Sequence, residues 1–161
     1  MYFNINGCVA AEMLGSALAF CEEKMGCKEA LSLLIADDPN AIEYFRYSLA
    51  KQVGSYLGEN SESVQDVYMY PDTLEEEPKL TLPLILIVNV ERHTAALESV
   101  VEAIQYNLLE EYRKMFVPIT NNLSVFLHIY MIDLTDLRER RGLAASINSL
   151  YKPALRVWSS R

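Results

Sequence analysis

Hydrophobic and polar positions change period several times along the chain, and each change marks an expected element. The longest apolar run is Thr81–Val90, TLPLILIVNV. Too short to span a bilayer and without polar alternation, it has the pattern of a strand covered on both faces. Pro83 near its start, the β-branched Ile85, Ile87 and Val88, and the turn-like charged stretch before it distinguish it from a buried helix. It is the expected central strand.

Upstream the period is helical. In Cys8–Met25, Met13 or Leu14, Ala17 or Leu18, Cys21 and Met25 share a face, and Gly26 suits the C-terminal cap. A second short helix is expected over Lys28–Ala36. Asp38-Pro39 then supplies an N-cap and a first-turn proline, and Ile42, Phe45, Leu49, Val53 and Tyr56 keep helical spacing up to Gly58. Val64–Tyr70, VQDVYMY, alternates as a strand, and Pro71–Lys79 is the exposed loop behind it. In that loop Glu75, Glu76 and Glu77 point different ways and are expected in solvent, not around a metal.

Downstream, Leu97, Val101, Ile104, Leu108, Tyr112 and Met115 mark a long amphipathic helix from about His93 to Phe116. Pro118 and Asn121-Asn122 close the connection, and Leu123–Ile132 is a third strand. Asp133–Arg141 leads into a segment in which Leu143, Ile147 and Leu150 repeat, stopped by Pro153. The tail Ala154–Trp158 is expected to add a short strand or an irregular cover. Strand, long helix, strand is a right-handed crossover joining parallel neighbours, whereas the first two strands are close enough in sequence to be antiparallel. The expected class is α/β or α+β, a small mixed sheet flanked by helices.

Composition adds limits to this outline. The 161 residues suit one domain: a core over 38–161 with a helical addition over 1–37. At 51% apolar and 22% charged the chain is globular, and its net charge of −8 disfavours nucleic acid and anionic membrane surfaces as partners. The one dense basic stretch, Arg138, Arg140 and Arg141, is interleaved with Asp136 and Glu139. Cys8, Cys21 and Cys27, odd in number and without a leader pattern or metal-ligand spacing, read as reduced thiols of a cytoplasmic protein. The apolar N-terminal segment, whose charged residues rule out a membrane span, is expected to meet a second copy in a homodimer.

With the elements in this order, the layout resembles the minimal nucleotidyltransferase fold of the polymerase-β-like family. Residues 41–57 correspond to its first helix, VQDVYMY to its Gly-Ser strand, and TLPLILIVNV to its double-aspartate strand. ERHTAALESVVEAIQYNLLEEYRKMF corresponds to its long helix and LSVFLHIYMIDLTDL to its third strand. The resemblance covers about residues 41 to 158 and implies carboxylates that hold divalent cations, with a turn that cradles phosphates. Here Tyr70-Pro71 stands in the Gly-Ser region, Thr81, Leu82, Pro83 and Leu84 stand at the paired aspartates, and Tyr130 stands near the third carboxylate. None binds magnesium with charge, so no metal, no cofactor and no catalytic residue is expected.

Three readings follow from these residues. The first is a catalytically inactive nucleotidyltransferase-like domain serving as an interaction or regulatory module, with a protein partner or a second copy. In the second, Gly54, Ser55 and Asp66 imitate the start of the motif, and an active enzyme uses magnesium with a nucleoside triphosphate. The third is a small-ligand binding module, for which the ten tyrosines, Tyr44, Tyr47, Tyr56, Tyr68 and Tyr70 among them, supply amphipathic surface. Tyr68, Tyr70, His128 and Tyr130 are the candidate binding residues. His93 is expected at the surface and His128 packed and hydrogen-bonded within its strand.

Overall fold

A computed structural model of the chain describes residues 7–71, 78–147, 149 and 153–161. Its elements are α1 (Gly7–Met25), α2 (Ala30–Ile35), α3 (Pro39–Asn60), β1 (Val64–Met69), β2 (Leu84–Val90) and α4 (Ala95–Met115). There follow β3 (Leu127–Ile132), α5 (Leu134–Glu139), a 3₁₀ turn (Gly142–Ser146) and β4 (Leu155–Ser159). Local chemistry sets the helix ends. Gly26, at φ +68°, lets Cys27 N–H donate to Glu22 O at 3.2 Å and Gly26 N–H to Glu23 O at 3.3 Å, satisfying two terminal carbonyls of α1. Asp38 accepts from Ala41 N–H at 3.0 Å with Pro39 in the first turn of α3, and Thr94 accepts from Leu97 N–H at 3.1 Å to start α4.

The four strands lie in the order β3-β2-β1-β4. β1 is antiparallel to both β2 and β4, and β2 is parallel to β3. Two crossovers therefore join parallel strands: β2 to β3 through α4, and β3 to β4 through α5 and the 3₁₀ turn. They step in opposite directions across the sheet, so right-handed connections must lie on opposite faces. Packing agrees. The larger core, between the sheet and α1, α3 and α4, holds Phe45, Leu49, Val67, Leu86, Val88, Ile104, Leu108 and Phe116; the smaller holds Ile87, Ile132, Ala144 and Ala154 on the other face.

Several expected boundaries move, each for a physical reason. β2 starts at Leu84, because Leu82 and Pro83 use their carbonyls to accept from a buried arginine. β3 starts at Leu127, since Leu123–Phe126 lies beyond its pairing with β2, where only Phe126 O still accepts from Leu84 N–H. α2 is confined to Ala30–Ile35, and α3 runs past Gly58 to Asn60. The lead-in Asp133–Arg141 contains the helix α5, the repeat that begins at Leu143 starts in a 3₁₀ turn, and the tail does form a strand, β4. Leu150 and Glu75, Glu76 and Glu77 fall outside the described residues.

The largest revision concerns α1. Its apolar residues are the reason a second copy is expected to meet it. Instead Ala10, Met13, Leu14, Ala17 and Cys21 are buried in the larger core, packed on α3 and α4. Among the described residues, no helix is long and apolar enough to cross a membrane.

Candidate functional site

Where β2 begins, a fixed polar cluster ties the loop before it to α3, to α4 and to the turn between α2 and α3. Arg46 on α3 is only 2% exposed, and its guanidinium donates to Leu82 O at 2.9 Å and Pro83 O at 2.8 Å. Tyr112 on α4 donates to Leu80 O at 2.6 Å, and Asp37, left-handed at φ 56°, accepts from Leu80 N–H at 3.1 Å. Burial pushes the Tyr112 phenol well above its ordinary range, against the opposing pull of the Arg46 charge. Tyr112 also stacks on Phe126 with centroids 3.7 Å apart. In the family resemblance this is where paired metal carboxylates would stand. Here a fixed cation and two committed carbonyls occupy that place, and Leu84 is fully buried.

Gly54, Ser55 and Asp66 do not converge. Gly54 and Ser55 both lie inside α3, not in a phosphate-binding turn. A Cβ on Gly54 would sit 3.1 Å from Trp158 Cβ and 3.3 Å from Val67 Cβ, so the glycine permits a close approach of helix to sheet. Ser55 lines a different surface, a groove of about 280 Å³ shared with Glu12, Ser16, Gln52 and Glu59. Since Val67 faces α3, its neighbour Asp66 turns to the opposite face. There it is 4% exposed, accepting from Ser159 Oγ at 3.1 Å and Asn89 Nδ2 at 3.4 Å.

The four candidate binding residues share that second face. Strand registers align Arg156, Tyr68, Ile87 and Tyr130 in one row, and Ile85 with His128 in the next, where Tyr70 N–H bonds Ile85 O. A third row sets Ser159, Asp66, Asn89 and Ile132 together. The isoleucines of β2 separate the tyrosine pair from His128 and Tyr130 by about 10 Å, two strand spacings. Tyr68 and Tyr70, like Leu143 and Ile147, pack against the smaller core of Ile87, Ile132, Ala144 and Ala154, while His128 stacks on Tyr130 at 5.8 Å along β3. Burial raises the Tyr68 phenol and nearby Asp66 adds to it, against Arg156 and Arg161. The remaining tyrosines are elsewhere: Tyr44 and Tyr47 contact Phe20 on the helical side, and Tyr56 lines the groove beside α1.

At the carboxyl ends of the parallel strands, His93 Nε2 lies 4.0 Å from Asp133 Oδ2, with both side chains well exposed. Asp133 also caps α5, and the backbone amide of Asp136 leads the causes that hold its carboxyl below the usual range. Its Oδ1 is committed to the cap, and at 4.0 Å the imidazole lies beyond hydrogen-bond reach, so the pair forms no enclosed site. Among the described residues, no group of three His, Cys, Asp or Glu could hold a metal ion. Arg46 and the His93–Asp133 pair were not singled out beforehand. Each joins residues far apart in the chain, and no local spacing signals them.

Known protein families, curated proteins and solved structures contain no match to this chain.

Proposed function

We propose that the chain is a non-catalytic interaction or regulatory module on a nucleotidyltransferase-like scaffold. The observation that carries this reading is the commitment of Arg46 to Leu82 and Pro83. Paired metal carboxylates at the start of this strand would need open, negatively charged positions, and the residues there are a buried guanidinium, its two carbonyl partners and an apolar leucine. Tyr70-Pro71 likewise offers no run of backbone amides for phosphate, because proline has none to donate. The reading as an active enzyme requires Gly54 and Ser55 in a turn beside Asp66. Their helical setting, and the position of Asp66 on the opposite sheet face, remove its support.

Calorimetric titration of the full chain with magnesium and each nucleoside triphosphate tests the proposal. The expected result is no saturable heat at micromolar to millimolar ligand. Tight, magnesium-dependent binding would overturn it.

A further inference from the structure

Strand β3 is the sheet edge beside α4, and natural edges of this kind are blunted by lysine, proline, a bulge or a cover. β3 reads LHIYMI and pairs with β2 without a register shift, so neither proline, lysine nor bulge interrupts it. Leu84 N–H donates to Phe126 O at 2.7 Å, which fixes the alternation. His128, Tyr130 and Ile132 turn their main-chain groups to β2, and Leu127, Ile129 and Met131 turn theirs outward. One outward donor has found a substitute for a neighbouring strand: Ile129 N–H donates to Gln105 Oε1 at 2.8 Å. The Gln105 amide thus stands where the carbonyl of a fifth strand would stand.

Alongside this edge runs a groove of about 310 Å³ between α4 and β3, lined by Glu102, Tyr106, Leu109, Val125, Phe126 and His128. Tyr106 is 64% exposed and Val125 37% exposed, so the groove presents apolar surface to solvent. Glu102 is its one full charge, exposed and without an ion pair among the described residues. We infer that the open edge of β3 and the adjoining groove bind an extended basic peptide by strand addition. Main-chain hydrogen bonds to Leu127 and Met131, and to Ile129 where a peptide carbonyl displaces Gln105 Oε1, supply affinity, an apolar side chain fills the groove, and a Lys or Arg meets Glu102. Charge selects this occupant over a second copy, which brings the same net −8 to the interface. The inference rests on the interaction-module reading and names its site and partner chemistry.

The test is selection of a phage-displayed random heptapeptide library on the full chain, followed by amide chemical-shift mapping with a recovered peptide. The expected sequences alternate apolar residues with Lys or Arg, and shifts centre on Leu127, Ile129 and Met131. Met131→Pro removes an outward N–H that takes no part in the ladder, so the pairing with β2 is retained and binding is lost. Glu102→Arg, on the helix surface, weakens binding about tenfold or more while leaving the spectrum otherwise native. Failure to recover any peptide, or undiminished binding by Glu102→Arg, overturns the site. Peptides whose shifts map elsewhere also overturn it and leave the interaction-module reading standing, whereas magnesium–nucleotide binding would remove that reading itself.

Discussion

Gly58 shows how one absent methyl sets the seam between α3 and β4. A Cβ built there would overlap the ring of Trp158, the chain's one tryptophan, whereas a Cβ on Gly15 in α1 meets nothing within 4 Å. Helix propensity favours alanine over glycine by about 1 kcal/mol, and overpacking costs about 1–3 kcal/mol. Of these two glycines, only Gly58 sets the terms against each other. Gly15→Ala should therefore raise the urea midpoint, and Gly58→Ala should lower it and shift the tryptophan emission. Ionisable groups add a pH dependence at the same scale. Burial, then Cys27, Asp38 and Glu22, push the Cys21 thiol up to about 11, and burial pushes the Tyr112 phenol up further. Both folded values are raised, so the stability they contribute is complete below their unfolded values and is lost as pH rises through the folded ones. Urea midpoints should fall from about pH 9 upward, starting at the ordinary range of a thiol and continuing past that of a phenol near 10. Cys21→Ala should flatten the lower part of the fall and Tyr112→Phe the upper part. Identical slopes in the wild-type chain and the double variant would contradict this assignment.

Elements were legible wherever their ends are fixed locally. Asp38-Pro39 announces α3, Gly26 closes α1, and the spacing from Leu97 to Tyr112 gives α4 its buried stripe. Legibility fails where an end is decided from afar. Leu82 and Pro83 look like strand, but Arg46, 36 and 37 positions away in sequence, takes their carbonyls. The candidate residues followed the same division. Alternation in VQDVYMY puts Asp66 with Tyr68 and Tyr70, but only strand register brings His128 and Tyr130 onto their face. α5 is the element held most locally: it buries no residue, and its start rests on reciprocal 3.0 Å hydrogen bonds between Asp133 and Asp136. Asp133→Ala should erase hydrogen-exchange protection in α5 while leaving the amides of β1 and β2 protected. The depressed carboxyl of Asp133 gives the cap its own pH dependence. Its stabilisation is present above the unfolded carboxylate value and is lost as pH falls through the folded one, so α5 should open first on acidification. Simultaneous loss of protection in the central strands would show that α5 is not a separate unit.

At the scale of the molecule, α1, at the start of the numbering, shares the larger core with α3 and α4. The changing period of the apolar positions foretold a mixed sheet flanked by helices, yet it could not show that α1 packs on α3 and α4, because apolar residues on a helix do not name their neighbours. Burial of Ala10, Met13, Leu14, Ala17 and Cys21 makes α1 part of the fold's stability. Deletion of residues 1–36 should accordingly leave a chain that is insoluble or lacks a cooperative unfolding transition. A soluble, cooperatively folded remainder would show that α1 is an accessory. The central claim is that this scaffold carries no nucleotide chemistry, and an amide-resolved titration with magnesium and the nucleoside triphosphates addresses it most directly. The account predicts that the amides around Tyr70, Leu82, Leu84 and Tyr130 stay in place at millimolar ligand. Saturable, magnesium-dependent shifts at those residues would contradict it.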